Sequence, residues 1–349
     1  MSRVGSTLER RAARTGLFRP LRRRNFIALA FSAATVGVFS ASAQQTQNQK
    51  RIAIFMGFAK DDEVWQEYVD TLVRHLSGLG WSAGRNLLIE YRFAGEDPER
   101  TRMIAEELVA SQPDLIYVTT NPVLSAVTKA TKKIPIVFSW VSDTVGSGFV
   151  SNLARPGGNV TGFHNFEPAL GGKWLDFLKQ VAPDVKRVAV VHVPEIAANV
   201  AFLRVVEGLA QTFGLQVVPA GVRSASDIEQ TLATFAGEPG GGLIVTPSPL
   251  TATRRSVIIE TAERHRLPAI YPFRFYARSG GLASYGIDQL EQLGGVASYI
   301  DRVLHGVSPG ELPVQLPTKF QLIINLKSAK AIHLEISPVV LARADEVIE

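Results

Sequence analysis

The stretch Ser139–Phe163, "SWVSDTVGSGFVSNLARPGGNVTGF", decides the fold because it separates two regions with the same alternating pattern. It follows the apolar run 134–138, contains five glycines and has neither helical nor strand periodicity. Long irregular segments inside compact domains are uncommon and usually functional. We considered three interpretations of it: a phosphate-binding loop, a linker between two domains, and the wall of a ligand cleft.

Both flanks of this stretch alternate short β-branched runs with longer amphipathic segments. Before it, strands are predicted at 51–57, 86–94, 115–120 and 134–140, with helices at 62–79 and 98–111 and a third that begins at Asn121. After it, strands and helices alternate again as far as residue 304. Repeats of this size imply parallel, buried sheets with helices on both faces. The sequence therefore predicts an α/β fold: two doubly wound parallel-sheet lobes joined by a hinge.

The boundaries of the lobes follow from the same pattern. Residues 44–162 are predicted to form the first lobe, to which about 283–310 return. Residues 163–282 are predicted to form the second lobe, with about 311–349 packing on that lobe or on the hinge. The glycine-rich part of the stretch, Arg155–Gly162, is predicted to carry the chain from one lobe to the other.

Residues 1–43 have the composition of a cleaved export signal. They contain eight arginines and one acid, so this segment alone exceeds the net charge of +5 of the whole chain. An apolar run at Phe26–Phe39 precedes the A-x-A pattern Ala41–Ala43, and Arg23-Arg24 is similar to a twin-arginine signal. Since Arg22 departs from that pattern, Sec export stays open. The alternative is an N-terminal anchor, but about 14 apolar residues are fewer than the roughly 20 that a spanning helix needs.

The composition excludes several classes of function. The remainder of the chain is slightly acidic and lacks a helix-turn-helix pattern, which argues against nucleic-acid binding. The chain has no cysteine, hence no disulfide, thiolate nucleophile or lipid-modified cysteine. It also lacks a phosphate loop, GxGxxG, GxSxG and HExxH, and its six histidines are scattered. We therefore expect no enzyme, cofactor or metal; an exported hydrolase or isomerase is the remote alternative.

Ligands of open parallel sheets bind at the carboxyl ends of the strands. The side chains predicted to bind a ligand there are Phe58, Thr119, Thr120, Asn121, Trp140, Asp143, His192, Thr246, Ser248, Tyr271, Arg274, Tyr285 and Asp288.

Each of the main candidates has a plain structural alternative. Asn121 is predicted to cap a helix whose free amides could bind a carboxylate. Trp140 could stack on a ligand ring or fill the core, and Asp143 could pair with an ammonium or cap a turn. Arg274 could hold a carboxylate or lie in a surface ion pair, and Asp288 could cap the helix that it precedes.

Three motifs carry a resemblance to a known family: Asp143–Gly148, Leu153–Gly162 and the C-terminal Leu341–Glu349. They resemble the substrate-binding components of ABC transporters grouped with the tryptophan- and tyrosine-binding proteins. The resemblance implies a type I periplasmic binding protein fold, with three crossovers between lobes that close on a ligand. Many members have Gly where this chain has Ser142, and an Asn-Pro-rich turn where it has 192–195.

The expected function is that of an exported solute-binding protein, free in the periplasm and monomeric, without stable membrane insertion after signal cleavage. Its expected ligand is a small molecule, with an amino acid or an aromatic carboxylate as the specific prediction. Its expected partner is an ABC permease in the inner membrane. The alternative is a periplasmic sensing module that presents its bound state to a membrane receptor.

Overall fold

The computed structural model describes residues 49–61, 63–95 and 97–349; the predicted export signal lies outside the described residues. The strands are β1 Lys50–Met56, β2 Leu87–Phe93, β3 Leu115–Thr119, β4 Ile136–Val141, β5 Val160–His164, β6 Arg187–His192, β7 Gln216–Gly221, β8 Gly241–Val245, β9 Ala269–Tyr271, β10 Ala283–Ile287, β11 Phe320–Asn325 and β12 Glu346–Ile348. The helices are α1 Glu63–Gly78, α2 Pro98–Ala110, α3 Asn121–Ala130, α4 Leu170–Val181, α5 Ala197–Leu209, α6 Ala225–Ala236, α7 Pro249–Thr253, α8 Arg255–Arg264, α9 Arg274–Arg278, α10 Gln289–Leu304, α11 Leu326–Ala331 and α12 Pro338–Leu341. Over the described residues, none of these helices is long and apolar enough to cross a membrane.

The strands form two sheets, one for each lobe. The first has the order β2-β1-β3-β4-β5 and is parallel throughout. The second has the order β12-β11-β10-β9-β8-β6-β7 and is parallel except where β11 runs against β10. Because parallel sheets with helical crossovers are covered on both faces, β1, β3, β4, β6 and β8 are almost entirely buried. The predicted two-lobe α/β fold is confirmed.

The chain passes between the lobes three times. It leaves the first lobe after β5, returns to it at α10, which packs on α1 and β4, and enters the second sheet again as β11. The third passage lies beside the end of β5, where the first passage begins: the backbone N–H of His164 donates to the carbonyl oxygen of Gln315 (2.8 Å), and that of Gln315 donates to the carbonyl oxygen of Gly162 (3.0 Å). These paired segments form the hinge.

Two expectations about the passages are wrong. Arg155–Gly162 is not a crossover, because Val160–His164 pairs with β4 as the edge strand of the first sheet. The β-branched Val160 and Thr161 form this strand, and the surrounding glycines hid it in the sequence. Likewise β10 belongs to the second sheet, so the return to the first lobe begins at Asp288 rather than at residue 283.

One glycine is required where β10 passes close to the segment after β9. A Cβ on Gly286 would overlap the carbonyl oxygen of Pro272 and would lie 3.0 Å from the ring of Phe166. Backbone cannot move aside as a flexible side chain can, so this position excludes any larger residue. Phe166 lies on the first passage between the lobes, so Gly286 sets how closely β10 approaches the hinge.

We expect Gly286→Ala to lower the free energy of unfolding by about 1–3 kcal/mol, because the added methyl group must displace backbone. Gly208→Ala is the control: this glycine lies in α5, and a Cβ there would have no neighbouring atom within 4 Å, so alanine should add about 0.5–1 kcal/mol. Urea unfolding measures both. Equal effects of the two substitutions would contradict the close approach of β10.

Candidate functional site

A cavity lies between the lobes, where the carboxyl ends of strands from both sheets meet. Its lining residues are Phe58, Thr120, Asn121, Pro122, Trp140, Ser142, Asn165, Ile196, Pro247, Ser248, Pro249 and Phe273. They come from the first lobe, the second lobe and the first passage between them. The free volume is about 20 Å³, room for about one water molecule, so in this conformation the lobes are closed on each other.

The lining is aromatic and polar but carries no charged side chain. Phe58, Trp140 and Phe273 supply the aromatic surface, while hydroxyl and amide groups supply the hydrogen-bonding atoms. Among the described residues, no three His, Asp or Glu side chains are grouped as metal ligands. The site can therefore stack and hydrogen-bond a ligand, but it offers no side-chain charge to pair with one.

The start of α3 is held against the end of β4 by the side chain of Asn121. Its Nδ2 donates to the carbonyl oxygen of Ser142 (2.7 Å), and its Oδ1 accepts from the backbone N–H of Ser142 (3.0 Å). Asn121 is thus not a helix cap, which corrects the sequence prediction; the cap position is Thr120. The predicted helix start with Pro122 in its first turn is confirmed.

Backbone strain is concentrated at this edge of the first sheet. Thr120 has φ 73° and ψ 150°, a region that is essentially restricted to glycine. Trp140 and Asp143 also have left-handed φ values, 60° and 49°. Each such residue costs on the order of 1–3 kcal/mol, and strained residues cluster at functional sites. The neighbouring Gly57 has no room for a Cβ, because Thr120 packs directly over it.

Trp140 projects into the cavity from an irregular part of β4. The pairing with β5 shifts register between Phe138 and Val141, and such a bulge redirects a side chain. Beneath Trp140, the hydroxyls of Tyr68, Tyr117 and Ser139 form a closed hydrogen-bonded triangle. Burial raises the pKa of Tyr68 to about 12, so its hydroxyl stays protonated as a donor. This network supports the floor of the cavity.

Aromatic rings from both lobes pack around Trp140. Its ring centroid lies 5.7 Å from that of Phe58, 4.5 Å from Trp65 and 4.9 Å from Phe273 of the second lobe. Trp65 also stacks on Phe58 at 3.4 Å and reaches Phe275 of the second lobe at 5.9 Å. The contact between the lobes is therefore largely aromatic.

The second lobe contributes two further helix starts. Ser248 accepts from the backbone N–H of Thr251 (3.0 Å) and forms a capping box at the start of α7. Ile196 precedes α5. The side chain of Asn199, within that helix, bonds to the backbone before α5 and to the backbone before α7. The amide of Asn199 accepts from Val193 N–H (3.0 Å) and donates to the Pro247 carbonyl (2.9 Å).

Five of the predicted ligand residues line the cavity: Phe58, Thr120, Asn121, Trp140 and Ser248. Eight do not: Thr119, Asp143, His192, Thr246, Tyr271, Arg274, Tyr285 and Asp288.

Three of these eight satisfy nearby backbone groups. The Thr119 hydroxyl accepts from Gly57 N–H (3.0 Å), and the Thr246 hydroxyl donates to the Val191 carbonyl (2.9 Å). Nδ1 of His192 lies 3.0 Å from the carbonyl oxygen of Val190. Backbone groups at strand ends need hydrogen-bond partners. The sequence alone does not show whether a polar side chain there bonds to the backbone or to a ligand.

The charged candidates pair within the protein. Asp143 accepts from Gly146 N–H (3.1 Å) in a turn. Asp288 caps α10 by accepting from Leu290 N–H (3.0 Å), and it also forms an ion pair with Arg274 (2.9 Å). For Asp143, Arg274 and Asp288, the structural alternative considered from the sequence is what the contacts show.

The two remaining tyrosines pack within the second lobe. Tyr271 is buried and stacks on Tyr276 at 4.9 Å. Tyr285 packs on Phe177 at 4.5 Å and on Phe320 at 5.8 Å. Neither ring reaches the cavity.

Several lining residues were not predicted: Pro122, Ser142, Asn165, Ile196, Pro247, Pro249 and Phe273. Most are immediate neighbours of predicted residues at strand ends. The sequence therefore indicated the correct segments but not the individual residues that line the cavity. Asn165 and Ile196 had no such signal. Asn165 lies on the first passage between the lobes, which begins later in the chain than the predicted Arg155–Gly162, and Ile196 precedes a helix without a side-chain cap.

A larger groove lies at the opposite end of the second lobe. Its free volume is about 250 Å³, and its walls include Pro183, Pro239, Pro268 and Leu334. It lies at the amino ends of β6, β8 and β9, whereas ligands of parallel sheets bind at carboxyl ends. The interlobe cavity is the stronger candidate because strained backbone and residues from both lobes converge there.

Comparisons with known proteins agree with this geometry. A profile of the family described as ABC transporter substrate binding protein matches residues 58–348. A "Tyrosine-binding protein" of Clostridioides difficile (strain R20291) is 29% identical over 270 residues, which are 75% of this chain and 75% of that protein. The family match spans both lobes and the interlobe cavity.

Two solved structures similar to this chain differ in whether a ligand is bound. An ABC domain from Streptococcus pneumoniae in complex with L-Trp has a TM-score of 0.79 and 23% identity, covering 86% of this chain and 100% of that one. The ligand-free, open structure of a substrate-binding protein with adhesive properties from Clostridium difficile has a TM-score of 0.62 and 26% identity, covering 86% and 99%. Both likenesses extend over the two lobes, so the chain shares its two-lobe fold with these proteins.

We expect Asn121→Ala to lower the free energy of unfolding by about 2 kcal/mol, because both backbone groups of the buried Ser142 lose a partner. Asn152→Ala is the control, since the exposed Asn152 makes one loop hydrogen bond, to Arg155 N–H. That change should cost less than about 0.5 kcal/mol. Urea unfolding measures both changes. An equally small effect at Asn121 would contradict a stabilising role for its two hydrogen bonds to Ser142.

The buried His164 at the hinge predicts a dependence of stability on pH. Nδ1 lies 3.1 Å from Thr144 Oγ1, and Nε2 lies 3.2 Å from Glu167 Oε1. Burial lowers the pKa of His164, while the carboxylates of Glu167 and Asp143 oppose that shift. The unfolded chain, with a histidine pKa of about 6.5, therefore binds this proton more readily than the folded protein.

Stability should be greatest above about pH 6.5 and should fall as the pH drops toward the lowered pKa of the folded state. The slope from one such proton is at most about 1.4 kcal/mol per pH unit. His164→Gln should flatten the curve between pH 7 and 5 in urea unfolding. An unchanged slope in this variant would show that other groups cause the dependence.

Proposed function

Because the chain belongs to the family of ABC transporter substrate binding proteins, we propose that it is the solute-binding component of an ABC importer with an aromatic ligand. Proteins of this family bind small ligands outside the cytoplasm for delivery to a membrane permease, and the family is not one of enzymes. The proposed ligand is an aromatic amino acid or a related aromatic carboxylate, held between the two lobes without covalent chemistry.

The observation that carries this proposal is the composition of the interlobe cavity. Rings of Phe58 and Trp140 from the first lobe face Phe273 from the second, which suits a flat aromatic group inserted between them. Aromatic packing of this kind contributes about 0.5–1.5 kcal/mol for each pair beyond the area that it buries.

The carboxylate of such a ligand is accommodated by backbone rather than by a side-chain cation. Both α3 and α5 begin at the cavity, at Asn121 and Ala197, and neither has a side-chain hydrogen bond that caps its first turn. Helix amino termini present free N–H groups and a partial positive charge, which stabilise an anion. Because backbone N–H groups would hold the carboxylate, Arg274 is not required for it and forms its ion pair with Asp288 at the hinge instead.

Ligand entry requires the lobes to move apart. Sites for small organic ligands usually enclose about 300 Å³ or more, and the closed cavity has about 20 Å³. The aromatic side chains of the two lobes fill the space that a ligand ring would occupy. Opening about the paired passages near His164 and Gln315 would separate Phe273 from Trp140 and free that space.

Thermal unfolding of the protein expressed from Gln44 tests the proposal. L-tyrosine, L-tryptophan, L-phenylalanine and indole-3-acetate are compared with glucose, arabinose and L-lysine, after bound solutes have been removed by unfolding and refolding. A ligand at a hundredfold excess over Kd stabilises by about 2.7 kcal/mol and raises Tm by several degrees. Aromatic acids should produce that shift; a shift with sugars alone would contradict the proposal.

The variant Phe273→Leu should weaken binding of the effective aromatic acid about tenfold, since one ring pair is lost while the volume is nearly kept. Phe320→Leu is the matched control, because Phe320 belongs to the same lobe but packs on Tyr285 away from the cavity. Isothermal titration calorimetry gives both constants. Equal Kd values for the two variants would place the aromatic ligand elsewhere.

A further inference from the structure

Three of the strands at the edges of the two sheets are protected against pairing with another chain. β5 is covered by the third passage between the lobes, with which it exchanges backbone hydrogen bonds at Gln315. β7 contains Pro219, which has no N–H to donate, and β12 is only three residues long. Natural proteins block strand edges in these ways, because an open edge is a template for another strand.

The remaining edge strand, β2, has none of these protections. Its seven residues contain no proline, and they pair with β1 in one unbroken parallel register from Leu87 to Phe93. Among the described residues, its one other pairing is an isolated bridge between Ala83 and Leu87 at the start of the strand. Leu88 and Tyr91 on this strand are 43% and 40% exposed. The free edge of β2 is therefore accompanied by exposed apolar surface.

The charged side chains of β2 are complementary to those of a second copy of the same strand. Glu90 and Arg92 lie on one face, form an ion pair with each other, and flank Tyr91 on the opposite face. In an antiparallel pair related by a two-fold axis through Tyr91, Glu90 lies opposite the partner's Arg92, and Arg92 lies opposite the partner's Glu90. An axis through Glu90 or Arg92 would place like charges opposite each other, which is destabilising. An axis through Ile89 would place both charges opposite neutral residues.

We propose that β2 is a homodimerisation edge, at which two copies join their first-lobe sheets antiparallel about a two-fold axis through Tyr91. The two Tyr91 rings meet at the axis, and Ile89 lies opposite the partner's Phe93 on the same face. Such an interface is isologous, because the same surface of both copies forms it. Backbone hydrogen bonds between the strands supply affinity, and the side-chain pairs determine the register.

This inference goes beyond the proposed function and is independent of the ligand. No residue of β2 lines the interlobe cavity, and the second lobe takes no part in the strand pairing. The dimer therefore leaves the lobes free to open and close. It differs from the monomer expected from the family resemblance, because local pattern does not show that β2 lies at the edge of its sheet.

Single cysteines test the register without background, since the chain has no cysteine of its own. Directly opposite Cα atoms of an antiparallel pair are about 4.5–5.5 Å apart, within the roughly 4.4–6.8 Å that a disulfide spans. Tyr91→Cys should therefore form a disulfide-linked dimer in oxidised glutathione. Leu88→Cys is the matched control: its exposure is similar, but its two copies would be about 20 Å apart across the axis. Equal cross-linking of the two variants, or none at Tyr91, would overturn the proposal.

Reversal of the charges tests the same register without a covalent bond, with association measured by analytical ultracentrifugation. Glu90→Arg and Arg92→Glu each place like charges opposite each other at two symmetric positions, so each should weaken dimerisation at least tenfold. The double variant Glu90→Arg/Arg92→Glu should dimerise as wild type does, and a mixture of the two single variants should form heterodimers. Glu229→Arg, which changes the net charge equally at an exposed position of α6 in the second lobe, should have no effect.

The contradicting results are specific. A wild-type protein that stays monomeric at every concentration, single reversals that leave dimerisation unchanged, or a double variant that does not restore it would each overturn the proposed dimer. All these variants should bind the ligand with wild-type affinity, because β2 lies outside the cavity. Failure of the dimer would thus leave the proposed function untouched.

Discussion

The contact on which the arrangement of the lobes depends is the aromatic packing of Trp140 against Phe273. These rings come from different lobes and lie 4.9 Å apart. Separation of the lobes would expose them together with Phe58 and Trp65, and exposed apolar surface costs about 25 cal/mol per Å². In the proposed function, an aromatic ligand replaces this contact ring for ring, so the same side chains would hold the lobes closed and line the ligand site.

The backbone at the carboxyl end of the first sheet is strained where Thr120 and Trp140 line the cavity. Thr120 and Trp140 both have left-handed φ values. Two hydrogen bonds between Asn121 and Ser142 hold the ends of β3 and β4 together despite that strain. The hydroxyl triangle around Tyr68 supports Trp140 from below. Rigid presentation of a site requires such supporting bonds, because a cavity that relaxes would lose its complementarity to a ligand.

The sequence predicted the fold better than the site. Alternating strand and helix patterns are local, so they indicated the two α/β lobes; they also predicted the helix start at Pro122. The glycine-rich context of Val160–His164 hid an edge strand, and the passage to the second lobe was placed too early. Arg274 and Asp288 were predicted as ligand residues, yet they pair with each other, because a charged side chain near a strand end looks the same in either role. Asn165 could not be found from local pattern, since it lies on a passage between the lobes and lines a cavity that both lobes form.

Hydrogen–deuterium exchange with and without a saturating aromatic amino acid would test most directly whether the interlobe cavity is the ligand site. The segments that should gain protection are 119–123, 140–143, 164–166, 195–199 and 247–249, because they meet at the cavity or at the hinge. Slower exchange confined to those segments is the result that we predict. Protection confined to 182–185, 238–241 and 265–268 would instead place the ligand in the larger groove of the second lobe and contradict the interlobe site.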